Sequence, residues 1–256
     1  MHGHRVVSRE AWEAERKELL AREKQLTRLR DQVTKERQAP PWVKVEKQYV
    51  FDGPDGRETL ADLFAGRSQL VVYHFMFQPD WSEGCKSCSF IADHYEPSIV
   101  HLQQRDTTMV TISRAELGKL QAFRKRMGWN FKWMSSLNTD FNQDFHVSFP
   151  GAEDGKTPVE YNYQTFESFL SSEGPGLSVF FKDEDGYIYH TYSCFSRGLE
   201  DLIVAYDLLD RVPKGRNEEG LLYAMEWVRH HDRYGDDGYR DIYVELITAR
   251  KGEGDR

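Results

Sequence analysis

Two cysteines spaced as Cys85-Lys86-Ser87-Cys88 stand between a run suited to a buried strand and a run suited to a helix. That juxtaposition restricts what the chain can become more than any other feature in it. Upstream, Leu70-Val71-Val72-Tyr73-His74-Phe75-Met76-Phe77 is rich in β-branched and aromatic residues, the signature of a strand covered on both faces. Downstream, Ile91, Tyr95, Ile99 and Leu102 recur at helical spacing, so a helix is expected to begin at or near Cys85. Orphan N–H groups and the positive dipole end at a helix start stabilise a thiolate, which is the nucleophilic form of sulfur. Cys88, three residues on, falls one turn down the same face, within reach of a disulfide.

Other uses of the pair are less economical. A structural zinc site needs four ligands, but the only other cysteine is Cys194, and His74, His94 and His101 lack ligand-pair spacing with the two sulfurs. No metal or other cofactor is expected. Three cysteines in 256 residues do not make a secreted disulfide framework, and a reducing, cytoplasmic setting fits a catalytic pair better than a structural one. The net charge of -8 argues against nucleic-acid backbones as partners. Neither a signal peptide nor a run approaching the about 20 apolar residues of a membrane span is present, so no membrane partner is expected.

Along the chain, residues 8–37 read as a charged helix. Ser8 is placed to cap it, and Trp12, Leu19, Leu26 and Val33 repeat every seven residues along one narrow apolar stripe. The stripe suits an arm packed across the main domain; the sharper reading is a homodimer contact through a two-helix seam. Gln38-Ala39-Pro40-Pro41 ends the helix. A hairpin follows around Gly53-Pro54-Asp55-Gly56, then the first strand and the Cys85 helix, a strand over 107–112, and a helix over 114–127 capped by Ser113 and closed by Gly128. The aromatic stretch 129–149 is expected in the core or under a loop. Residues 150–174 look like a flap, 177–182 and 187–192 like an antiparallel hairpin, 198–209 like a closing helix and 221–231 like a short last one; the polar end, 251–256, is expected to fray.

The order from Leu70 is then β-α-β-α-β-β-α, the thioredoxin topology. The expected fold class is α/β: a thioredoxin-like central mixed sheet flanked by helices, with an N-terminal helical arm and an inserted flap. The expected boundaries are 1–41 for the arm, 42–216 for the thioredoxin-like domain with an insertion at about 135–175, and 217–256 for a C-terminal extension.

Several longer segments carry a family resemblance: Tyr73-His74-Phe75-Met76-Phe77, Pro79-Asp80-Trp81, Gly84-Cys85-Lys86-Ser87-Cys88-Ser89-Phe90, Arg126-Met127-Gly128-Trp129 and Trp227-Val228-Arg229-His230-His231-Asp232-Arg233-Tyr234. Together they resemble the thioredoxin-like DUF899 family, usually described as predicted dithiol-disulfide oxidoreductases. The resemblance spans nearly the whole chain. It departs at Cys194, where the family pattern carries a small hydroxyl residue.

Three functions compete. In thiol–disulfide exchange on a disulfide-containing protein or small thiol compound, Cys85 attacks and Cys88 resolves. Trp81 walls the site, and Lys86 either adds positive potential or is a solvated surface group. Pro175 stands where thioredoxin-like folds place a cis-proline, although Gly174-Pro175-Gly176 also reads as an ordinary turn. In a peroxiredoxin-like thiol peroxidase, Ser82, three before Cys85, would help polarise peroxide, with Arg114 or Arg197 beside the thiolate. The third is a non-enzymatic redox-sensing protein. His231, in His230-His231-Asp232, is a candidate proton donor or ligand, though adjacent residues point different ways; the lone Cys194 is a candidate third redox partner but reads more readily as a small buried hydrophobe.

Overall fold

The computed structural model describes residues 3–152, 156–169, 171–241, 244–245 and 247–248. Residues 251–256, where fraying is expected, lie outside them. The chain divides into two units, Met1–Trp42 and Val43–Arg256. The first is one helix, α1 (Arg9–Arg37), whose start is fixed by the Ser8 hydroxyl accepting the Ala11 N–H at 3.3 Å. Glu10 lies in its first turn and Lys35 and Arg37 in its last, each complementing the helix dipole. None of its side chains is buried among the described residues, and Trp12, Leu19, Leu26 and Leu29 stay exposed.

In the second unit the described strands are β1 (Val43–Lys44), β2 (Val50–Gly53), β3 (Gly56–Thr59), β4 (Gln69–His74), β5 (Thr107–Ser113), β6 (Trp133–Ser135), β7 (Val159–Tyr161), β8 (Gln164–Phe166), β9 (Gly176–Lys182) and β10 (Ile188–Phe195). The described helices are α2 (Lys86–Tyr95), α3 (Ile99–Gln103), α4 (Leu117–Arg126), α5 (Phe141–Asp144) and α6 (Val204–Leu209). Eight strands form one sheet in the order β1-β10-β9-β4-β5-β6-β2-β3, while β7 and β8 pair separately as a small hairpin. β4 and β5 run parallel, joined through α2 and α3; β9 is antiparallel to β4 and β10 to β9. A parallel βαβ pair followed by an antiparallel pair is the thioredoxin-like core, widened here by β6 and the β2–β3 hairpin on one side and by β1 on the other.

Strand alternation sorts the core into two layers. From β4, Val71 and Tyr73 face a cluster that holds Cys85, Cys88, Trp129 and Trp133. Leu70 and Val72 face another that holds Phe51, Phe64, Phe141 and Phe180. Most of the aromatic stretch after residue 128 goes into these layers, as expected, but part of it also forms β6, which lies parallel to β5.

Several local expectations are corrected. The helix after Cys85 does not run on to Leu102: Pro97, which has no N–H to continue the ladder, sits in a tight turn over Glu96–Ser98 that separates α2 from α3. Ser113 caps no helix. It ends β5, donating its hydroxyl to the Phe75 carbonyl at 2.6 Å and accepting the Trp133 indole N–H at 3.0 Å, and α4 begins only at Leu117. The closing helix is divided, because Ile203 takes a non-helical backbone (φ -109°, ψ 88°) between a tight 3-10 stretch, Ser196–Leu202, and α6. Residues 221–231 are turns rather than a helix, and Met225 at φ 68° breaks any right-handed path there. No peptide bond among the described residues is cis, so Pro175 follows a trans bond.

Candidate active site

β4 brings the chain to the start of α2. Beyond His74, the Phe75 N–H bonds the Ile112 carbonyl at 3.0 Å, and Phe75, Met76 and Phe77 are buried. The chain then leaves and returns, and the Cys85 N–H bonds the Met76 carbonyl at 3.0 Å, which sets Cys85 beside the strand it follows. Cys85 is the N-cap of α2, as expected. Its sulfur accepts the Cys88 N–H at 3.4 Å, and its carbonyl accepts the Ser89 N–H at 2.9 Å. Cys88 is held from the other side by the Met76 N–H at 3.5 Å. Both are free thiols. Burial, then the neighbouring Cys85, pushes the Cys88 thiol well above its ordinary pKa, so it keeps its proton.

Neither sulfur lies on open surface: Cys85 is 4% exposed and Cys88 0%. Cys85 reaches solvent through two concavities that meet at it. One is a polar cleft of about 320 Å³ lined by Trp81, Ser82, Lys86, His230 and Asp241 among others. The other is a largely apolar groove of about 690 Å³, shared with Cys88 and walled by Met76, Ile91, Phe169, Pro175, Ile203 and Met225. Trp81, Ser82, Lys86 and Pro175 are thus brought to the two sulfurs.

The remaining candidates divide. Lys86 is not a solvated surface lysine. Its ammonium pairs with the Asp241 carboxylate, with the two side chains 2% and 7% exposed, and donates to the Glu226 carbonyl at 2.8 Å. Burial lowers its pKa against the pull of Asp241. His231 points to Asp93 at 2.8 Å and lines neither concavity; its neighbour His230 lines the polar cleft, donating Nε2–H to the Gly84 carbonyl at 2.8 Å. Arg114 donates to the Ser148 hydroxyl at 2.9 Å and lines neither concavity. Arg197 stands on the groove rim, largely solvated and held by Glu200 at 2.8 Å. Cys194 donates to the Gly198 carbonyl at 3.5 Å, outside both concavities. Among the described residues no three His, Cys, Asp or Glu side chains gather as metal ligands would.

Three residues that the sequence did not single out lie at the site, together with His230, which the sequence offered only jointly with His231 and Asp232. Tyr73 lies in the same buried layer as Cys88, His230 holds the Gly84 carbonyl, Asp241 pairs with Lys86, and Glu173 lies in the groove wall. Only Tyr73 carried a signal, as an inward position of the strand. Glu173 sits in a stretch that reads as a flap, Asp241 in one that reads as a terminal extension, and His230 in one that reads as a short helix.

Gly84 is required by close approach. A Cβ there would lie 2.7 Å from Phe75 Cε1 and 3.0 Å from Phe123 Cε1, inside the packed layer under α2. Gly84→Ala is expected to cost about 1–3 kcal/mol through overpacking, read as a lower urea midpoint at unchanged slope.

A family described as "Bacterial protein of unknown function (DUF899)" matches residues 1–234. No curated protein matches. Among solved structures, the peroxidoxin BcpB from Mycobacterium tuberculosis is similar at 14% identity and a TM-score of 0.42, over 64% of this chain and 92% of that one. PrxQ from Xylella fastidiosa is similar at 10% identity and 0.39, over 62% and 88%. Prx1a from Plasmodium yoelii is similar at 12% and 0.39, over 74% and 96%.

Proposed function

The chain belongs to the DUF899 family, whose description assigns no activity, and from the chemistry of its own site we propose that it is a dithiol–disulfide oxidoreductase. The observation that carries this reading is Cys85 at the N-cap of α2, its sulfur accepting the Cys88 N–H at 3.4 Å, with the second thiol one turn along. The N–H and the helix dipole stabilise negative charge on the Cys85 sulfur. Cys85 attacks one sulfur of a substrate disulfide and expels the other; Cys88 then attacks Cys85, releasing the second substrate thiol and leaving a Cys85–Cys88 disulfide. Two electrons pass from the protein pair to the substrate. Cys88, protonated and shielded from water, suits the second role. The apolar groove is where a disulfide-bearing protein segment or small molecule would lie.

A peroxidase role draws no support from the two arginines considered for it, since Arg114 bonds Ser148 and Arg197 bonds Glu200. The test is thiol mapping. Reduced protein exposed to oxidised glutathione, quenched by alkylation and digested, should yield a linked Cys85–Cys88 peptide that dithiothreitol reverses, with Cys194 alkylated throughout. A pair that stays reduced, or a bridge through Cys194, overturns the reading.

A further inference from the structure

The groove beside the two thiols contains a carboxyl that the exchange chemistry has not yet used. Glu173 precedes the Gly174-Pro175-Gly176 turn into β9 and lines the same groove as Cys85 and Cys88. It is 1% exposed. Its backbone is fixed, paired across to Ser148 in an isolated bridge and bonded through its own N–H to the Ser171 hydroxyl at 3.2 Å. Its Oε1 is buried with no hydrogen-bond partner among the described residues. The Arg114 guanidinium forms an ion pair with it at 3.7 Å, beyond hydrogen-bond reach, and donates one N–H to Ser148. A buried carboxyl oxygen left without a hydrogen bond costs stability, and so it points to a group kept for a task.

We propose that Glu173 is the proton donor to the leaving sulfur when Cys85 opens a disulfide held in the groove. This rests on the exchange reading above. Three charged or titratable neighbours bear on Glu173 from two segments: Arg114 after β5, and Asp80 and Cys85 from the segment between β4 and α2. Burial dominates and, with Asp80 and Cys85, raises the carboxyl pKa to about 8 against the opposing pull of Arg114 and the Phe77 N–H. Near neutral pH the group therefore carries the proton the step requires.

The steps balance. The Cys85 thiolate forms a bond to one substrate sulfur while the substrate S–S bond breaks. The departing sulfur takes the Glu173 proton and leaves as a thiol, and Glu173 becomes a carboxylate. The carboxylate then takes the Cys88 proton, Cys88 attacks the Cys85 sulfur, and the second substrate thiolate leaves and is protonated by water. Glu173 ends as it began. Because the donated proton matters only to a basic leaving group, the proposal also defines the preferred substrate class: disulfides of ordinary alkyl thiols, such as those between cysteines.

The test compares wild type and Glu173→Gln on two probes, hydroxyethyl disulfide, with an alkyl leaving thiol, and dithiobis-nitrobenzoate, whose aryl leaving thiol needs no proton. Read as release of the first thiol in a single turnover, before Cys88 acts, the variant should lose about tenfold or more on the alkyl probe and keep its rate on the aryl probe. The wild-type alkyl rate, divided by its aryl rate to cancel Cys85 ionisation, should fall as pH rises through about 8, where Glu173 loses its proton; that ratio in the variant should lack this limb. The wild-type ratio carries the test by itself if the variant fails to fold. Equal loss on both probes, no loss on either, or a flat wild-type ratio overturns the role of Glu173 while leaving exchange intact. Failure of wild type to reduce either probe overturns the exchange reading and this inference with it.

Discussion

Replacing Cys85 by serine removes disulfide reduction, by on the order of 10⁴-fold, as loss of the attacking atom does in enzymes with a single nucleophile. The fold should survive the change. Serine is close to cysteine in size and is among the strongest N-cap residues, so its hydroxyl can accept the Cys88 N–H that the sulfur accepts now. Cys88→Ser should behave differently. Attack still occurs, nothing resolves the product, and a mixed disulfide between Cys85 and the substrate accumulates as a mass adduct. Single-turnover rates with intact-protein mass spectrometry check both. Undiminished turnover in Cys85→Ser, or an adduct on the wrong cysteine, reverses or removes the roles given to the pair.

Asp241→Ala should be the most damaging change to stability near the site. It strips the partner from an ammonium that is 2% exposed, leaving Lys86 buried with the Glu226 carbonyl and the face of the Tyr223 ring. Breaking a buried pair from one side costs about 3–5 kcal/mol, whereas replacing both ends by apolar groups is far milder. Tyr223 adds to the loss, since its hydroxyl donates to Asp241 at 2.5 Å. The loss should appear in urea unfolding, with most of it recovered by adding Lys86→Met. Because Asp241 and His230 both anchor later chain over the start of α2, Asp241→Ala should also speed alkylation of Cys85. An unchanged midpoint and labelling rate would mean the pair contributes nothing.

The core of the fold was legible because it depends on local patterns. Alternation in β4, the helix start at Cys85 and the two-residue turn between β2 and β3 are each set by residues adjacent in sequence. What was not legible depends on distant partners. Nothing near Lys86 announces Asp241, and a lysine beside a cysteine reads as solvated until the later chain folds over it. Glu173 lies among serines and glycines that resemble a flap, and only the packing of Phe77 and Ser148 around it makes it a buried acid. His230 and His231 look equivalent in sequence; the turn over His231–Arg233 aims the first at Gly84 and the second at Asp93. Ser113 misled because serine caps helices as readily as it closes a strand against a tryptophan.

An open sheet has two borders, and each is a template on which another polypeptide can add itself. Here one border is β3, carrying Arg57 and Glu58, and the other is the two-residue β1 laid along β10, whose pairing slips by a residue between His190 and Tyr192. Charge discourages growth at the first; brevity and the kink discourage it at the second. The fold can therefore widen the thioredoxin core to eight strands and still resist end-to-end accretion of copies as fibres.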